Sequence, residues 1–305
     1  MVDKNNKYME VYLMAAQVVG ILSPGDMGHA VGRVLVDNGL KVITCLEGRS
    51  KRTRELAGKA GIEAVQTYAQ LVHDADIIIS ILVPAEAKKA ATLVSQALEE
   101  TGEKIVYVDC NAIAPDTVRE IGEIIVKAGS RFVDAGIIGS PPSPERSTRL
   151  YASGTDADEF EQLTKYGLEI SVVGKEIGQA SGLKMVYAAM TKGTSALSIE
   201  LLVAAWRMGL YEALMGEWQI SQKDRYDALS RSLPTVPSKS RRWIGEMEEI
   251  AKTFASVGLT PKILEGAADL YRFVGENPLA DETPETLDRN RTLEQLIRVL
   301  AEGKA

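Results

Sequence analysis

Near residue 20 the chain has a glycine-containing turn of the kind that binds phosphate. An apolar run leads into Gly20-Ile21-Leu22-Ser23-Pro24-Gly25-Asp26-Met27-Gly28, and a helical pattern follows. In the pattern G-x-G-x-x-G, glycines let the backbone approach a pyrophosphate that sits on the helix N-terminus. Here Ser23 stands at the first glycine position, so a plain strand-to-helix turn is the alternative. We predict a dinucleotide bound by Ser23, Pro24, Gly25, Asp26, Met27 and Gly28.

A second group of candidate residues bears on which dinucleotide is bound. Glu47 ends the next apolar run and is followed by Arg49, Ser50, Lys51 and Arg52. A carboxylate at this distance holds the ribose hydroxyls of NAD, whereas arginine pairs with the 2′-phosphate of NADP. We expect Glu47, Arg49, Ser50 and Arg52 to contact the cofactor, with NADP preferred and NAD as the alternative. The competing interpretation is that Lys51 and Arg52 face solvent, although cations at a helix start oppose its dipole.

A lysine near the start of a long helical pattern is the candidate acid or base. The segment Gly178 to Met208 predicts a helix about 45 Å long. On a helical wheel, one stripe is small and polar and the opposite stripe is apolar. The polar stripe consists of Lys184, Tyr187, Ala188, Thr191 and Ser195. The apolar stripe consists of Met185, Val186, Ala189, Met190, Leu197 and Leu201. If the polar stripe lines a cleft, desolvation lowers the pKa of Lys184 into the range of an acid/base catalyst. The alternative is an exposed helix face, which is how we interpret Lys192 and Lys175.

Two residues of the second half could add to such a cleft. Arg241 could bind an anionic group, and Trp243 could form an aromatic lid. Core packing of Trp243 with Met247 and Ile250, which share its helical spacing, is the competing interpretation.

The pattern of apolar runs predicts the scaffold that gathers these residues. Runs rich in Val and Ile predict strands buried on both faces, at Gln17–Leu22, Lys41–Leu46, Asp76–Val83, Lys104–Asp109 and Arg131–Ile138. Shorter strands are predicted at Arg149–Ala152 and Ile170–Val173. Helical spacing lies between the strands, at Gly25–Asn38, Lys51–Ala60, Ala85–Glu100 and Pro115–Ala128. The alternation predicts an α/β fold with a doubly wound parallel sheet of the Rossmann type.

From Gly178 onward the pattern is helical throughout, which predicts an all-α domain after the sheet. We predict an N-terminal extension at 1–16, a dinucleotide-binding domain at 17–177, and a helical domain at 178–305 that begins with a long interdomain helix.

Composition excludes several classes of protein. The chain has 305 residues, 45% of them hydrophobic, and a net charge of −7, which argues against a nucleic-acid-binding or anionic-membrane surface. It has two cysteines, no signal-peptide pattern and no apolar run long enough to span a bilayer, so we expect a cytoplasmic protein. With only two histidines, His29 and His73, a metal site or a Ser-His-Asp hydrolase is not expected.

Three blocks together resemble the β-hydroxyacid dehydrogenase family, which includes 6-phosphogluconate and 3-hydroxyisobutyrate dehydrogenases. The first is the turn from Gly20 to Gly28. The second is Phe132-Val133-Asp134-Ala135-Gly136-Ile137-Ile138-Gly139-Ser140, at the place of the family's substrate-binding block. The third is Gly178-Gln179-Ala180-Ser181-Gly182-Leu183-Lys184, which is similar to the approach to the family's catalytic lysine. The likeness covers about residues 17 to 200; the remainder resembles a less-characterised branch with its own helical domain.

The resemblance implies roles for individual residues. Lys184 would be the general acid/base, and substrate would meet Ile138, Gly139, Ser140, Tyr187 and Thr191, with Arg241 and Trp243 from the second domain. Val83, Pro84 and Asn111 would lie along the cofactor. Ile138 replaces a family serine, and Ala188 replaces a family asparagine. The pocket is therefore less polar than in the named enzymes, and their substrates do not identify the substrate of this protein.

These points predict an NADP-preferring oxidoreductase that moves a hydride between nicotinamide and a carbonyl/alcohol pair. We expect a homodimer formed through the helical domain, because that domain is too elongated to bury all its apolar stripes alone. An imine reductase with Tyr187 as proton donor is the alternative within the class. A protein that binds NADP without turnover is the alternative from another class.

Overall fold

The computed structural model describes residues 18–143 and 148–303. The predicted extension at 1–16 lies outside them. The described residues form one sheet of eight strands, which are β1 (Val18–Leu22), β2 (Lys41–Cys45), β3 (Glu63–Val65), β4 (Ile77–Ser80), β5 (Val106–Asp109), β6 (Arg131–Ile138), β7 (Arg149–Ser153) and β8 (Glu169–Gly174).

The strand order β3-β2-β1-β4-β5-β6-β7-β8 reverses direction between β1 and β4. Neighbours from β3 to β6 pair in parallel, while β7 runs antiparallel to β6. The predicted doubly wound α/β fold is therefore confirmed. In such sheets ligands bind beyond the carboxyl ends of the strands, where the order reverses.

Twelve α-helices occur in the described ranges. They are α1 (Asp26–Asp37), α2 (Lys51–Lys59), α3 (Tyr68–Asp74), α4 (Pro84–Thr101), α5 (Pro115–Lys127), α6 (Ala157–Glu161), α7 (Gln179–Arg207), α8 (Tyr211–Ser221), α9 (Lys223–Ser232), α10 (Pro237–Ser256), α11 (Lys262–Gly275) and α12 (Leu293–Glu302). Strand β3 and helix α3 were missed from the sequence, because both are short and β3 is largely exposed.

Apolar side chains form one core on each face of the sheet. Helices α1, α2 and α6 cover one face, and α3, α4 and α5 cover the other. A third core lies among the helices that follow the sheet, and buried Met185 of α7 belongs to it. Because α7 contacts β6 as well as α10, α11 and α12, this one helix joins the sheet to the helical bundle.

A buried carboxylate makes a second connection between the bundle and the sheet domain. Glu249 of α10 accepts hydrogen bonds from the Ala114 amide at 2.8 Å and from the Thr117 hydroxyl at 2.9 Å, at the start of α5. An acceptor at a helix N-terminus satisfies amides that have no partner within the helix. This contact fixes α10 beside the carboxyl edge of the sheet.

Within the described ranges, no helix is long and apolar enough to cross a membrane.

Candidate active site

The turn between β1 and α1 has the backbone of a glycine-rich phosphate loop. Ser23 is the one non-glycine residue in the described ranges with a left-handed backbone, at φ 63°. For a residue with a side chain this conformation costs about 1–3 kcal/mol. Ser23 therefore keeps the geometry of the glycine that it replaces.

Close packing in the turn explains the last glycine of the motif. A β-carbon at Gly28 would lie 2.5 Å from the carbonyl oxygen of Ser23, so no larger residue fits. The N-cap residue, Gly25, offers no side-chain hydrogen bond to the first turn of α1. The Gly25 amide donates to the Ser23 carbonyl at 2.7 Å, whereas the first amides of α1 have no acceptor within the helix and can bind an anion. The residues therefore fit a bound pyrophosphate, as the sequence predicts for the segment from Ser23 to Gly28.

A cavity of about 330 Å³ lies beyond the end of β2, where the adenosine half of a dinucleotide binds in this fold. Among the residues that line it are Glu47, Arg49, Tyr68 and Lys89. Its lining has two cations, Arg49 and Lys89, and two carboxylates, Glu47 and Glu86, and Tyr68 offers an aromatic ring to an adenine. Two of the predicted cofactor residues, Glu47 and Arg49, thus line a cavity that fits this half of the cofactor.

The other two residues of that group are engaged within the protein. Ser50 caps α2, since its hydroxyl accepts the Thr53 amide at 3.2 Å. Arg52 pairs with Asp26 of the phosphate turn and, at 3.1 Å, with Glu285 of the helical domain. Both carboxylates contribute to raising the pKa of Arg52. Of the two arginines, Arg49 is the one that lines the adenosine cavity.

The ends of β4 and β5 meet at one buried amide. The Asn111 side chain donates to Ser80 Oγ at 3.0 Å and to Asp109 at 2.9 Å, and it accepts the Leu82 amide. Burial raises the pKa of Asp109 to about 7. The Asn111 side chain thus links the ends of β4 and β5 at the carboxyl edge of the sheet. It shapes the loop that leads to Val83 and Pro84, where α4 begins.

Lys184 lies at the end of β6. Its ammonium donates a hydrogen bond to the carbonyl oxygen of Ile137, directly before the segment Ile138–Ser140. Burial is the largest cause that lowers its pKa to about 8, and the charges of Lys192 and Arg242 lower it further while Glu246 raises it. The structure thus places Lys184 next to the predicted substrate segment, with the reduced basicity expected of an acid/base group.

A buried aspartate anchors the helix that carries Lys184. Asp134 of β6 accepts the amides of Gly178 and Ser181 at 2.8 and 3.1 Å, and the hydroxyls of Ser181 and Ser153 at 2.5 and 3.0 Å. Burial raises the pKa of Asp134 against the opposing influence of these hydrogen bonds. Sequence reasoning placed Asp134 in the substrate block without a role. In the structure it caps α7 from a neighbouring strand.

The buried face of α7 differs from the predicted one. Val186, Met190 and Leu197, expected in the core, are exposed, whereas Ala188 and Lys192 are buried. Tyr187 and Thr191, predicted to meet substrate, are also exposed. The wheel prediction is wrong here because β6, α10 and α11 pack on α7 from different sides, so burial does not follow its apolar stripe.

Sequence reasoning also missed an ion pair beside Lys184. Lys192, expected on the surface, pairs with Glu246 of α10, and only 8% and 7% of the two residues is exposed. Arg242 lies 3.3 Å from the same carboxylate. The lysine ammonium is 5.6 Å from the ring centre of Trp243. Two cations, Lys192 and Arg242, thus pair with one buried carboxylate.

Arg241 binds within the helical bundle, and Trp243 packs against its core. Arg241 pairs with Asp281 at 2.7 Å and donates to the Gly275 carbonyl at 2.9 Å, so its side chain binds within the bundle. Its neighbour Arg242 is the arginine on the side of Lys192. Trp243 packs edge-on against Tyr271, with ring centres 5.3 Å apart. This supports the core-packing interpretation, while one ring face remains near Lys192.

No group of three or more His, Cys, Asp or Glu side chains in the described part of the chain could hold a metal ion.

Comparison with known proteins relates the site to a family. Residues 18–174 match the NAD binding domain of 6-phosphogluconate dehydrogenase, and residues 205–274 match a domain of unknown function, DUF1932. An uncharacterized 28.5 kDa protein of Methanothermus fervidus is 30% identical over 85% of this chain and 99% of that protein. The conserved protein MTH1747, of unknown function and structurally similar to 3-hydroxyacid dehydrogenases, is 34% identical over 85% of this chain and 99% of its own, with a TM-score of 0.62.

More distant structures share the fold. A 3-hydroxyisobutyrate dehydrogenase of Mycobacterium tuberculosis covers 93% of this chain and 99% of its own, at 17% identity and a TM-score of 0.67. Imine reductases of Myxococcus stipitatus, one in complex with NAD+ and one with NADP+, match at TM-scores of 0.53 and 0.50. The glycine turn, the adenosine cavity and the match to the NAD binding domain agree on a pyridine nucleotide cofactor. The chain belongs to the hydroxyacid-dehydrogenase-like family of NAD(P) oxidoreductases, with the NAD-binding domain of 6-phosphogluconate dehydrogenase joined to a DUF1932 domain.

Proposed function

We propose that this protein is an NADP(H)-preferring oxidoreductase that interconverts a carbonyl compound and an alcohol of the β-hydroxyacid type, with Lys184 as the general acid/base. The observation that carries the proposal is the position of Lys184. Its ammonium lies at the end of β6, and β6 runs parallel to the strand that precedes Asn111. Lys184, Asn111 and the phosphate turn therefore share the carboxyl edge of the sheet, where this fold binds its ligands.

The chain's own part in the reaction is binding, orientation and proton transfer. When bound, the nicotinamide ring supplies or accepts the hydride. In the reducing direction, the Lys184 ammonium gives a proton to the substrate oxygen as the carbonyl carbon gains the hydride. In the oxidising direction, the neutral amine takes that proton from the hydroxyl. A pKa of about 8 allows both roles near neutral pH.

The preference for NADP is supported by Arg49. It lines the adenosine cavity together with Lys89, and a planar guanidinium meets a phosphate through paired hydrogen bonds. The same cavity has two carboxylates, Glu47, which favours a ribose diol, and Glu86, so the preference depends on the paired hydrogen bonds that Arg49 can offer to a phosphate. The substrate side is less polar than in the family pattern, because Ile138 is buried and has no hydroxyl.

Replacing the lysine tests the catalytic assignment. We expect Lys184→Ala to lose turnover, by about 10²–10⁴-fold as for removal of a general acid or base. Its affinity for the cofactor, measured by fluorescence titration, should stay within a few-fold of wild type. Lys175→Ala, which removes an exposed lysine just before the same helix, is the matched control. Unchanged turnover in Lys184→Ala would overturn the assignment.

A substrate screen tests the reaction class. Alcohols, β-hydroxy acids and cyclic imines would each be offered with NADP(H) and NAD(H). Turnover of β-hydroxy acids or simple alcohols with NADP supports the proposal. Turnover of imines alone would instead identify an imine reductase, and cofactor binding without any turnover would identify a sensor.

A further inference from the structure

A buried ion pair lies two turns along α7 from Lys184, and stability alone does not explain why it is buried. Lys192 and Glu246 are almost fully buried, on two different helices and 54 positions apart in the chain. Desolvation of two such charges cancels most of their attraction, so apolar residues of similar volume commonly stabilise a protein at least as well. A buried pair that is kept next to a group of perturbed basicity is a candidate for a functional role.

The pair is held firmly in place. The backbone carbonyl of Lys192 accepts the Tyr271 hydroxyl at 2.6 Å, and Trp243 packs against Tyr271. Burial raises the pKa of Tyr271, which keeps its hydroxyl protonated as a donor. Lys192 lies two turns after Lys184, which separates their backbones by about 12 Å along the helix axis. Charges at about this separation still interact in a partly buried environment, and both Lys192 and Glu246 influence the pKa of Lys184.

We propose that the Lys192–Glu246 pair acts through space on Lys184, so that the charge balance of the pair controls how readily Lys184 releases its proton. The inference deepens the proposed function, in which Lys184 is the acid/base. Lys192 and Glu246 are positioning residues here, because they act on Lys184 and not on the reacting atoms.

Charged groups on two helices and one carbonyl oxygen on a strand contribute to the balance at Lys184. On α7 the charged neighbour is Lys192, and on α10 the neighbours are Glu246 and Arg242. On β6 the partner is the carbonyl oxygen of Ile137, which favours the ammonium. With Lys192 in place, two cations offset the attraction of Glu246. Without Lys192, Glu246 would attract the Lys184 proton more strongly. Without Glu246, the two cations would repel that proton.

Removing the charge of Lys192 and removing the charge of Glu246 should therefore shift the pKa of Lys184 in opposite directions. In Lys192→Gln the pKa of Lys184 rises, and in Glu246→Gln it falls, each by roughly half to one unit for charges at this separation. A purely structural role predicts no opposite displacement, since either loss would only loosen the packing. Lys192→Arg keeps the charge and should restore the wild-type value.

The measurement uses the full chain without cofactor or substrate. The rate at which acetic anhydride modifies Lys184 is followed against pH by peptide mass spectrometry, which gives the pKa directly. Lys223→Gln is the matched control, because it breaks an exposed lysine–carboxylate pair of 2.8 Å on α9. The pH dependence of carbonyl reduction, which requires the ammonium, should move in the same direction as the labelling midpoint.

Arg242→Gln provides a second test in case the variants of the buried pair do not fold. Arg242 is half exposed, so its loss spares the core, and it should raise the Lys184 midpoint by less than Lys192→Gln does. Midpoints that stay at the wild-type value in Lys192→Gln, Glu246→Gln and Arg242→Gln would overturn the inference, as would shifts of one sign in the first two. Labelling does not depend on catalysis, so the inference can fail while Lys184→Ala still loses turnover, and the reverse also holds.

Discussion

Arg49 and Arg52 are three positions apart, yet the structure gives them different partners. Arg49 lines the adenosine cavity, whereas Arg52 joins Asp26 of the phosphate turn to Glu285 of the helical domain. Both carboxylates pair directly with the guanidinium of Arg52, so this group is already engaged within the protein. At the scale of single residues, we therefore propose that Arg49 selects the cofactor, while Arg52 makes a contact between the two domains.

We therefore expect Arg49→Ala to weaken NADPH at least tenfold and NADH only slightly, because one charge-assisted phosphate contact contributes about 1.5–3 kcal/mol. Arg52→Ala should weaken both cofactors alike. Dissociation constants from fluorescence titration of each variant with each cofactor give the comparison. Equal losses of NADPH and NADH in Arg49→Ala would contradict the assignment.

Lys184 also affects folding, because its pKa is about 8 in the protein and 10.5 when it is unperturbed. The folded state then opposes protonation, at a cost of about 3 kcal/mol at neutral pH. Stability from this group is lowest below pH 8 and rises between pH 8 and 10.5. Removing the ammonium relieves that cost but leaves the Ile137 carbonyl without its partner, a loss of about 1 kcal/mol.

Lys184→Met should therefore be more stable than wild type by about 2 kcal/mol at pH 7, with the difference shrinking as pH rises to 10. Urea unfolding of both proteins at the two pH values measures it. Lys175→Met, at an exposed position, should show no change at either pH. A variant less stable than wild type at pH 7 would show that the ammonium stabilises the folded state.

At the scale of elements, the start of α7 depends on one carboxylate. Four donors converge on Asp134, and Lys184 lies in the second turn of the helix that they begin. In Asp134→Asn an amide NH₂ replaces one acceptor oxygen and faces donors in a buried place. The expected loss is about 2–4 kcal/mol of unfolding free energy.

Hydrogen exchange at the start of α7 shows whether the lost stability of Asp134→Asn comes from the lost helix cap. Hydrogen exchange of the amides from 178 to 184 should accelerate in Asp134→Asn, and turnover should fall with it. Asp158→Asn, an exposed carboxylate in α6, is the control for removing a charge. Exchange that stays as slow as in wild type would mean that α7 does not need this cap.

The elements show what a sequence can and cannot predict. Strands β1, β2, β4, β5 and β6 were predicted because each is a short Val- and Ile-rich run that ends in a turn or before a helix, and local pattern suffices for that. The buried face of α7 was not predicted correctly, because it depends on which other elements pack around this helix. Lys192 and Glu246 carry no local signal at all. Their pairing exists only once α7 and α10 have come together.

The sequence also does not show which of the two neighbouring arginines, Arg241 or Arg242, lies beside Glu246. Neighbouring positions on a helix point about 100° apart, so one faces the loop at Asp281 and the other faces Glu246. The candidate turn was predicted in more detail, since its chemistry lies within nine consecutive residues. Local sites can thus be found from sequence, while sites assembled from distant helices need the fold.

For the molecule as a whole, α7 presents an unusual surface. Leu183, Val186, Met190 and Leu197 are all exposed, up to 70% for Met190, and they lie within about 60° of one another around the helix. Single exposed apolar residues are ordinary, but a continuous apolar stripe is typical of a contact surface. Its length along the helix is about 21 Å. The stripe begins at Leu183, next to Lys184, so a partner seated on it would border the proposed active site.

We propose that a second copy of the chain covers this stripe. A stripe along one helix can pair with its own copy about a twofold axis, which is the commonest symmetry of soluble oligomers. Light scattering after size exclusion should give twice the chain mass of 33.1 kDa. Met190→Glu combined with Leu197→Glu should give the monomer, because burying two carboxylates without partners costs several kcal/mol. Ile220→Glu, at an 84% exposed apolar position on α8, should leave the dimer intact. A wild-type protein that elutes as a monomer at micromolar concentration would contradict the proposal and assign the stripe to another partner.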